Sequence, residues 1–476
     1  MATKKDLVEA HAFSRRRLVT AFVSGAPGGR EVEPVRPGRV LIGGVALSVL
    51  LLAGAAIAGF LVGRPPAQWL EAGSFVISKD TGEQYVVMRG GEDPMLQRVP
   101  NYVSAQLLLG KAELTPHTVR DKYIRTVTLG GDLGIEGAPA SLPDADELVD
   151  DGWTACTADG AGVKVAVQDT PDVTDVTDSA FLVRSEGRQW LIAPSPESTG
   201  LEGSAYRFLL PRNRVVAGTL AERLGFVAEV PQVSQDWLNL FPDGGALEAS
   251  SFGVTRRGEE PRYTNTATDL SDYRIGDLLV SEAGDHYLLG DEGPEGLDPF
   301  PALVYGIVAG EARPFDGLMS AEFVDPGHSD TWPLDLPTAL RESTMCAVLH
   351  PGQGAAATRT LAVDPDGAAA VGDDLPAGRH DVDVEPGGGA YVLAGSDTST
   401  SGGSPYVIDT KGAKYELVGV AVPDSIGYGG VEPPIVPSAW LTFFREGVPL
   451  STNDARRKPA DAPPEQDEAA DEAGTS

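Results

Sequence analysis

The chain of 476 residues is poor in cysteine, methionine and histidine, with two, five and six of each. Two cysteines exclude a disulfide-dense scaffold and a cysteine-ligated zinc or iron–sulfur site. The histidines (His11, His117, His286, His328, His350 and His380) are scattered, with no metal-ligand spacing among them. No G-x-x-x-x-G-K-[ST] loop occurs, since Gly110-Lys111 is followed by Ala112, so the usual phosphate cradle is missing. H-E-x-x-H, G-x-S-x-G and the EF-hand loop are absent as well. Positive charge is also short. The 37 basic side chains stand against 69 acidic ones, a formal charge of −32, which leaves no basic footprint for nucleic acid. What is abundant is glycine and proline, 57 and 37 residues, about a fifth of the chain. That composition argues against a helical bundle and for turn-rich β structure. A hydrophobic content of 42% suffices for a real core, and the length suggests two to four folding units. Asp172, Asp175 and Asp178, and the turn Asp364-Pro365-Asp366-Gly367, read as solvated acidic surface rather than calcium ligands.

The charge is unevenly spread. Residues 1–39 carry eight basic side chains and four acidic ones, so a lead of +4 precedes a remainder of −36. Between them Val40 to Val62 runs without a charge, spanning roughly 34 Å as a helix, enough to cross a hydrocarbon core of ~30 Å. A cleaved signal peptide would have a shorter lead and a shorter apolar run, so an uncleaved anchor is expected. The basic lead places the N-terminus in the cytoplasm and the bulk of the chain outside. Before the span, Thr3-Lys4-Lys5-Asp6 has capping-box spacing and Gly25 to Gly29 supplies a stop, which predicts a short helix. Its apolar residues, including Phe13 and Phe22, alternate with Arg15, Arg16 and Arg17. These residues fit a solvated segment that only sets topology, and they fit equally a helix docking on anionic lipid or on a cytoplasmic partner.

Four segments share an apolar run, a glycine and an aromatic three residues beyond it, the signature of a β-hairpin. They are Phe75–Gly82–Tyr85, Phe181–Gly187–Trp190, Leu278–Gly284–Tyr287 and Tyr406–Gly412–Tyr415. A second duplication is more specific. Val233-x-x-x-Trp237-Leu238-x-x-Phe241-x-x-Gly244-x-x-Leu247 recurs as Val436-x-x-x-Trp440-Leu441-x-x-Phe444-x-x-Gly447-x-x-Leu450. The Trp-Leu-x-x-Phe spacing suits one helical turn closed by the glycine. Tyr85, Trp190, Tyr287, Tyr415, Trp237 and Trp440 are therefore expected as core anchors of repeated units. Uneven intervals between the repeat glycines exclude a regular solenoid or propeller. The last 26 residues, rich in Ala, Pro, Asp and Glu, are expected to be disordered. Cys156 and Cys346 both fall on the outer side, where disulfides persist, and would close a loop of 190 residues; two unpaired buried thiols are the alternative.

The run Lys5-Asp6-Leu7-Val8-Glu9-Ala10-His11-Ala12-Phe13-Ser14-Arg15-Arg16-Arg17-Leu18-Val19-Thr20-Ala21-Phe22-Val23-Ser24-Gly25 resembles the start of EccB proteins, membrane components of the actinobacterial type VII (ESX) secretion system. The likeness continues through the single span, the segment Val99 to Gly110 and the Trp-Leu repeat, over residues 1–450. It implies a cytoplasmic N-terminus touching the motor EccC, and assembly with EccD, EccE and the mycosin protease in a hexameric inner-membrane complex. It also implies a periplasmic β-rich core fastened by one disulfide, at positions matching Cys156 and Cys346. The expected fold is thus membrane-anchored, with one transmembrane helix and an extracytoplasmic β-rich α+β core bearing four hairpin-containing repeats. The expected bounds are a cytoplasmic helix over 1–39, the span over 40–62, and linker with first repeat over 63–115. Core segments follow at 116–177 and 311–387, repeats at 178–235, 270–310 and 388–450, and an acidic tail at 451–476. The expected role is structural, linking a cytoplasmic motor to an outer scaffold, with no cofactor. The alternatives are an ATP hydrolase without a P-loop, for which ATP would be the ligand, and a cell-envelope binding module.

Overall fold

The computed structural model describes residues 3–24, 37–62, 65, 67–196, 203–227, 229–264, 266–316, 319–352, 354–371 and 375–459. They fall into two compact units, Met1–Pro66 and Ala67–Ser476. The first unit holds α1 (Lys4–Ser24) and α2 (Pro37–Val62). At the start of α1 the Thr3 hydroxyl and amide both donate to Asp6 Oδ2, at 2.7 and 3.0 Å, and the Asp6 amide donates to the Thr3 carbonyl. Two otherwise orphaned amides are satisfied reciprocally. The expected stop at Gly25 to Gly29 lies outside the described residues. Side chains in α2 are described over residues 41–55 and are all exposed. Among the described residues no helix is long and apolar enough to cross a membrane. The uncharged run of Val40 to Val62 extends beyond those side chains at both ends.

The second unit begins with an antiparallel meander of β1 (Phe75–Ser78), β2 (Gln84–Arg89) and β3 (Met95–Val99). The helix α3 (Tyr102–Leu109) follows, capped by Asn101, whose Oδ1 accepts from the Ser104 amide, and ended by left-handed Gly110. This helix carries the chain back so that β4 (Pro116–Val119) pairs parallel to β1. After α4 (Asp121–Ile124), β5 (Thr128–Leu129) pairs parallel to β3. β4 and β5, expected within the core, thus complete the first repeat. Parallel neighbours need a crossover, so a hairpin pattern does not register them.

The core strands then start, with β6 (Trp153–Ala158), β7 (Val163–Val167) and β8 (Thr174–Val176). The second repeat has β9 (Ser179–Ser185), β10 (Arg188–Pro194), β11 (Ala205–Leu209), α5 (Arg214–Arg223), α6 (Gln235–Leu238) and β12 (Asp243–Ala246), the last parallel to β11. The third has β13 (Leu278–Ser281), β14 (His286–Leu289), β15 (Pro294–Leu297), α7 (Pro299–Val308) and β16 (Arg313–Phe315), the last parallel to β13. Both therefore run past their expected ends at 235 and 310. β17 (Thr338–Ala339) returns to pair parallel with the start of β9.

The core is completed by β18 (Thr344–His350), β19 (Thr358–Val363) and β20 (His380–Val384), giving the order β20-β7-β6-β18-β19-β8. The fourth repeat contains β21 (Ala390–Gly395), β22 (Ser404–Ile408), β23 (Ala413–Val418), α8 (Val422–Ile426), β24 (Ile435–Pro437), α9 (Ser438–Leu441), β25 (Arg445–Glu446) and β26 (Leu450–Ser451). β24 is parallel to β21, while β25 and β26 are parallel to β23. The hairpin around Gly412 is therefore the second of its meander, whereas those around Gly82, Gly187 and Gly284 are the first. All four glycines have positive φ, from 68° to 92°, which explains why this residue is constant in the pattern while the hairpin it serves is not.

The acidic tail also begins later than expected. Ser451 caps α10 (Thr452–Ala455), its hydroxyl accepting from the Asp454 amide, and Ala455 is fully buried. The Arg457 carbonyl accepts from the Gly134 amide, so this segment is fastened beside the first repeat. Residues 460–476 lie outside the described residues.

Burial follows a hierarchy. The inner face of the core sheet, with Trp153, Ala155, Met345, Ala347 and Leu361, packs on residues of the second and fourth repeats only. The first repeat shares a cluster with the fourth, where α3 lies on α8, and the third shares one with the second, where α5 lies on α7.

Trp237 and Trp440 are both fully buried in the central cluster. The Trp237 indole N–H donates to the Ala155 carbonyl at 2.9 Å, whereas that of Trp440 has no partner among the described residues. Truncation of either to Ala is expected to cost roughly 3–5 kcal/mol. Trp237→Phe should cost about 1 kcal/mol more than Trp440→Phe, because only the former loses a hydrogen bond. Urea unfolding of the four variants checks this, and equal Phe costs would refute the asymmetry.

Candidate functional site

The core sheet and what is fastened to it form the candidate site. On its inner face the duplicated motif docks twice. Ser234 caps α6 by accepting from the Trp237 amide, and the following turn brings Leu238 and Phe241 down beside Trp237, with ring centroids of Trp237 and Phe241 5.2 Å apart. In the fourth repeat α9 does the same with Trp440, Leu441 and Phe444, whose ring meets Trp153 edge-on at 5.5 Å. The motif glycines do not close these helices. A Cβ on Gly244 would stand 2.2 Å from Phe208 Cε1, and one on Gly447 2.4 Å from Tyr415 Cδ1. Each glycine lets the returning strand pass over an aromatic of its parallel neighbour, β11 or β23. Leu247 and Leu450, three residues on, are fully buried in both copies.

On the opposite face, Cys156 and Cys346 are directly opposed across the antiparallel pair β6–β18 and form a disulfide, with Cα atoms 4.1 Å apart. The alternation of the strands places Val348, Ala362 and the bridge in one small cluster, covered by Ala369 and Val371. The bridge therefore staples the two halves of the core sheet, one half before and one after the inserted second and third repeats.

A third fastening was not legible in the sequence. Arg359 in β19 is fully buried and pairs with Asp397 in the loop between β21 and β22, while its Nη1 donates to the Ala357 carbonyl at 3.0 Å. Trp332, also missed, is buried and donates from its indole to the Gly244 carbonyl at 3.1 Å. Glu295 is a buried carboxyl whose pKa burial lifts to about 7, with the Gly327 amide as donor.

The hairpin aromatics differ in their environments. Tyr85 and Tyr415 are buried and donate to Glu83 and Asp409 of their own hairpins. Trp190 and Tyr287 are only half-buried, Trp190 beneath the Arg207 guanidinium and Tyr287 stacked on Phe323. Arg15, Arg16, Arg17, Phe13 and Phe22 all lie exposed on α1. Asp175 of the expected acidic surface is bonded to His350 and Thr360 instead of standing free. Among the described residues no group of three or more His, Cys, Asp or Glu side chains is arranged to hold a metal ion.

These features define a class: a disulfide-stapled, β-rich α+β scaffold, preceded in the chain by two helices. A family profile described as "Type VII secretion system ESX-1, transport TM domain B" (EccB) matches residues 1–464, and the chain belongs to that family. It is 24% identical over 419 residues to the "ESX-1 secretion system ATPase EccB1" of Mycolicibacterium smegmatis (strain MKD8), covering 82% of each chain. With the "ESX-5 secretion system ATPase EccB5" of Mycobacterium tuberculosis (strain ATCC 25618 / H37Rv) it shares 29% over 231 residues, 46% of this chain and 42% of the relative. Its fold resembles a chain in the "intact ESX-5 inner membrane complex" with a TM-score of 0.61 at 22% identity, covering 97% of this chain and 96% of that one. It resembles the "EccB3 dimer from the ESX-3 core complex" with a TM-score of 0.60 at 19% identity, covering 81% and 100%.

The bridge closes a separation of 190 residues, for which chain entropy gives roughly 5 kcal/mol as an upper figure. A non-reduced digest should yield one peptide pair joining Cys156 to Cys346. The double Ser variant should unfold at lower denaturant. Free alkylation of both thiols in the native, unreduced protein would overturn the staple.

Proposed function

We propose that the chain is a structural subunit of a type VII secretion inner-membrane complex, anchored by a single pass over residues 40–62. Its N-terminus lies in the cytoplasm and residues 64–476 outside. The observation that carries this reading is the combination in one chain of an exposed apolar and basic helix, an uncharged run of 23 residues, and a disulfide-stapled β-rich scaffold. In this reading α1 is the docking element. Leu7, Val8, Leu18, Val19 and Phe22 lie within about half its circumference, and Arg15 to Arg17 add three positive charges. The partner there is the motor EccC; EccD, EccE and further copies of this chain join it in a hexameric membrane complex, with the mycosin protease on the outer side. The likeness to chains of solved ESX assemblies supports such membership.

The relatives' names carry the word ATPase, which favours ATP hydrolysis as a second reading. The missing phosphate loop weighs against it.

Native-membrane copurification of the tagged full chain should bring down EccC and EccD, and an α1 variant with Leu18→Ser and Phe22→Ser should lose the motor while keeping the other partners. Orientation is read by single cysteines replacing Thr20 and Glu260, since the two native cysteines are paired and silent. A membrane-impermeant thiol reagent should label residue 260 and spare residue 20 in intact cells. Labelling of residue 20 would invert the topology, and a chain recovered alone would sink the assembly role.

A further inference from the structure

His350 stands at the end of β18, on the face of the core sheet that carries the disulfide. Both of its ring nitrogens are engaged. Nδ1 lies 3.0 Å from Asp151 Oδ1, in the turn before β6, and Nε2 lies 3.0 Å from Asp175 Oδ2, in β8. The Thr360 hydroxyl of β19 donates to the same Asp175 oxygen at 2.9 Å. An ionised carboxylate only accepts, and a neutral imidazole carries one N–H. Two carboxylates on two ring nitrogens therefore require the imidazolium. Each acid sits on a different nitrogen, so the trio does not converge on a common point where a cation would bind. What the arrangement holds is a proton.

We propose that His350 is a proton-operated latch for the edge strand β8. With the ring charged, Asp175 is held and β8 stays paired to β19. With the ring neutral, one of the two carboxylates faces a lone pair and that contact fails. The other attachments of β8 are few: it is three residues long, Thr174 and Asp175 are exposed, it stands at the edge of the sheet, and besides its ladder to β19 it has the Thr360 hydrogen bond and the half-buried Val176. Its position gives the release a consequence. β9 begins three residues after β8 ends, and the Asp178 carbonyl between them accepts from Thr338 where the chain re-enters from the third repeat. The latch therefore controls the lead-in strand joining the core sheet to the body formed by the second and third repeats.

The ionisable groups facing the ring are Asp151 before β6 and Asp175 on β8; β19 contributes the non-ionising Thr360. The hydrogen bond to Asp175 raises the His350 pKa above its ordinary value, against the effect of burial and with Asp151 adding. Burial alone would raise the Asp175 carboxyl, but its bonds from His350 and Thr360 prevail and hold it below the ordinary range. The sign follows. A raised histidine contributes its stabilisation fully below its ordinary value of about 6.5 and loses it as pH climbs through the folded value. The latch is closed in acid and opens toward the alkaline side.

The test is amide hydrogen exchange on the full chain in detergent from about pH 5.5 to about pH 8.5, corrected for intrinsic exchange, with the imidazole titration of His350 followed by NMR. Protection over residues 174–176 and their partners 361–363 should fall roughly two- to fivefold as the ring deprotonates, the range for partly exposed ion pairs. Protection of β6 and β7 should not change. His350→Gln should show low, pH-independent protection in β8, and Asp175→Asn should shrink the pH-dependent step. A pH-independent β8 in the wild type, the same step surviving in His350→Gln, or a uniform loss across the whole sheet would each overturn the latch. Should His350→Gln fail to fold, the wild-type contrast between β8 and β6 with the ring titration still decides.

Discussion

Everything in the larger unit depends on one non-local pairing, the antiparallel contact of β6 with β18. Its residues are some 190 apart, and closing so long a loop from an extended chain is slow and entropically costly. The fold reduces that cost with a local device. The inserted second and third repeats have adjacent ends, because β17 pairs with the start of β9 and the Leu340 amide donates to the Ala180 carbonyl. Once that body forms, residues 178 and 340 are neighbours and the effective loop shrinks to the short segments on either side. The disulfide then secures a pairing the insert has already made favourable. This is also why the chain-entropy figure for the bridge is an upper one.

The four repeats are not equivalent in how they are held. The second and fourth reach the core sheet directly, each through a Trp-Leu turn and a phenylalanine on its inner face. The first and third contribute no residue to that cluster and are attached through a neighbouring repeat. The spatial order is thus first, fourth, core, second, third. Only the two repeats that dock on the sheet carry the Val-x-x-x-Trp-Leu-x-x-Phe-x-x-Gly-x-x-Leu motif, so the motif marks attachment and not the repeat as such. The buried Arg359–Asp397 pair ties the core strand β19 to the same fourth repeat that α9 anchors. Leaving Arg359 buried without Asp397 would strand a charge in a site that admits no water to its side chain, so this contact fixes one relative placement of sheet and repeat.

The sequence was most readable where a single backbone requirement selects one residue type. The four hairpin glycines stand at positive φ, and Ser234, Asn101 and Thr3 sit where a cap must accept or donate. The Trp-Leu duplication was readable because six identities survive at fixed spacing. Parallel strands were not. β4, β12, β16, β24 and β25 are three or four residues long or shorter, and they lie beside strands far behind them in sequence, so no local pattern distinguishes them from loops. The expected hairpin around Gly412 is present, but its place as the second of its meander was not legible, because a glycine turn before an aromatic reports a tight turn and not its position among the strands. Ser451-x-x-Asp454 was a cap signal at the start of what composition marked as tail. The partners of Arg359 and His350 come from elements 38 and 175 or more residues away, and a charge pattern along the chain carries no trace of them.

That hierarchy also locates where the scaffold is able to give. The inner face of the core sheet is dry and shared by two repeats, and its centre is stapled. On the outer face, the small group of Val173, Ala369 and Val371 packs over the bridge. Motion that spares the core must then start at a sheet edge, and the two edges differ. β20 pairs with β7 over five consecutive positions, and His380 meets the ring of Phe443 from the fourth repeat. β8 pairs over three positions, and the side chain of its middle residue, Asp175, is held by His350 and Thr360. A rigid body attached through its Trp-Leu turn and entered through a weak strand has one firm joint and one soft one. Displacement at the soft joint leaves Trp237 and Trp440 seated in the central cluster.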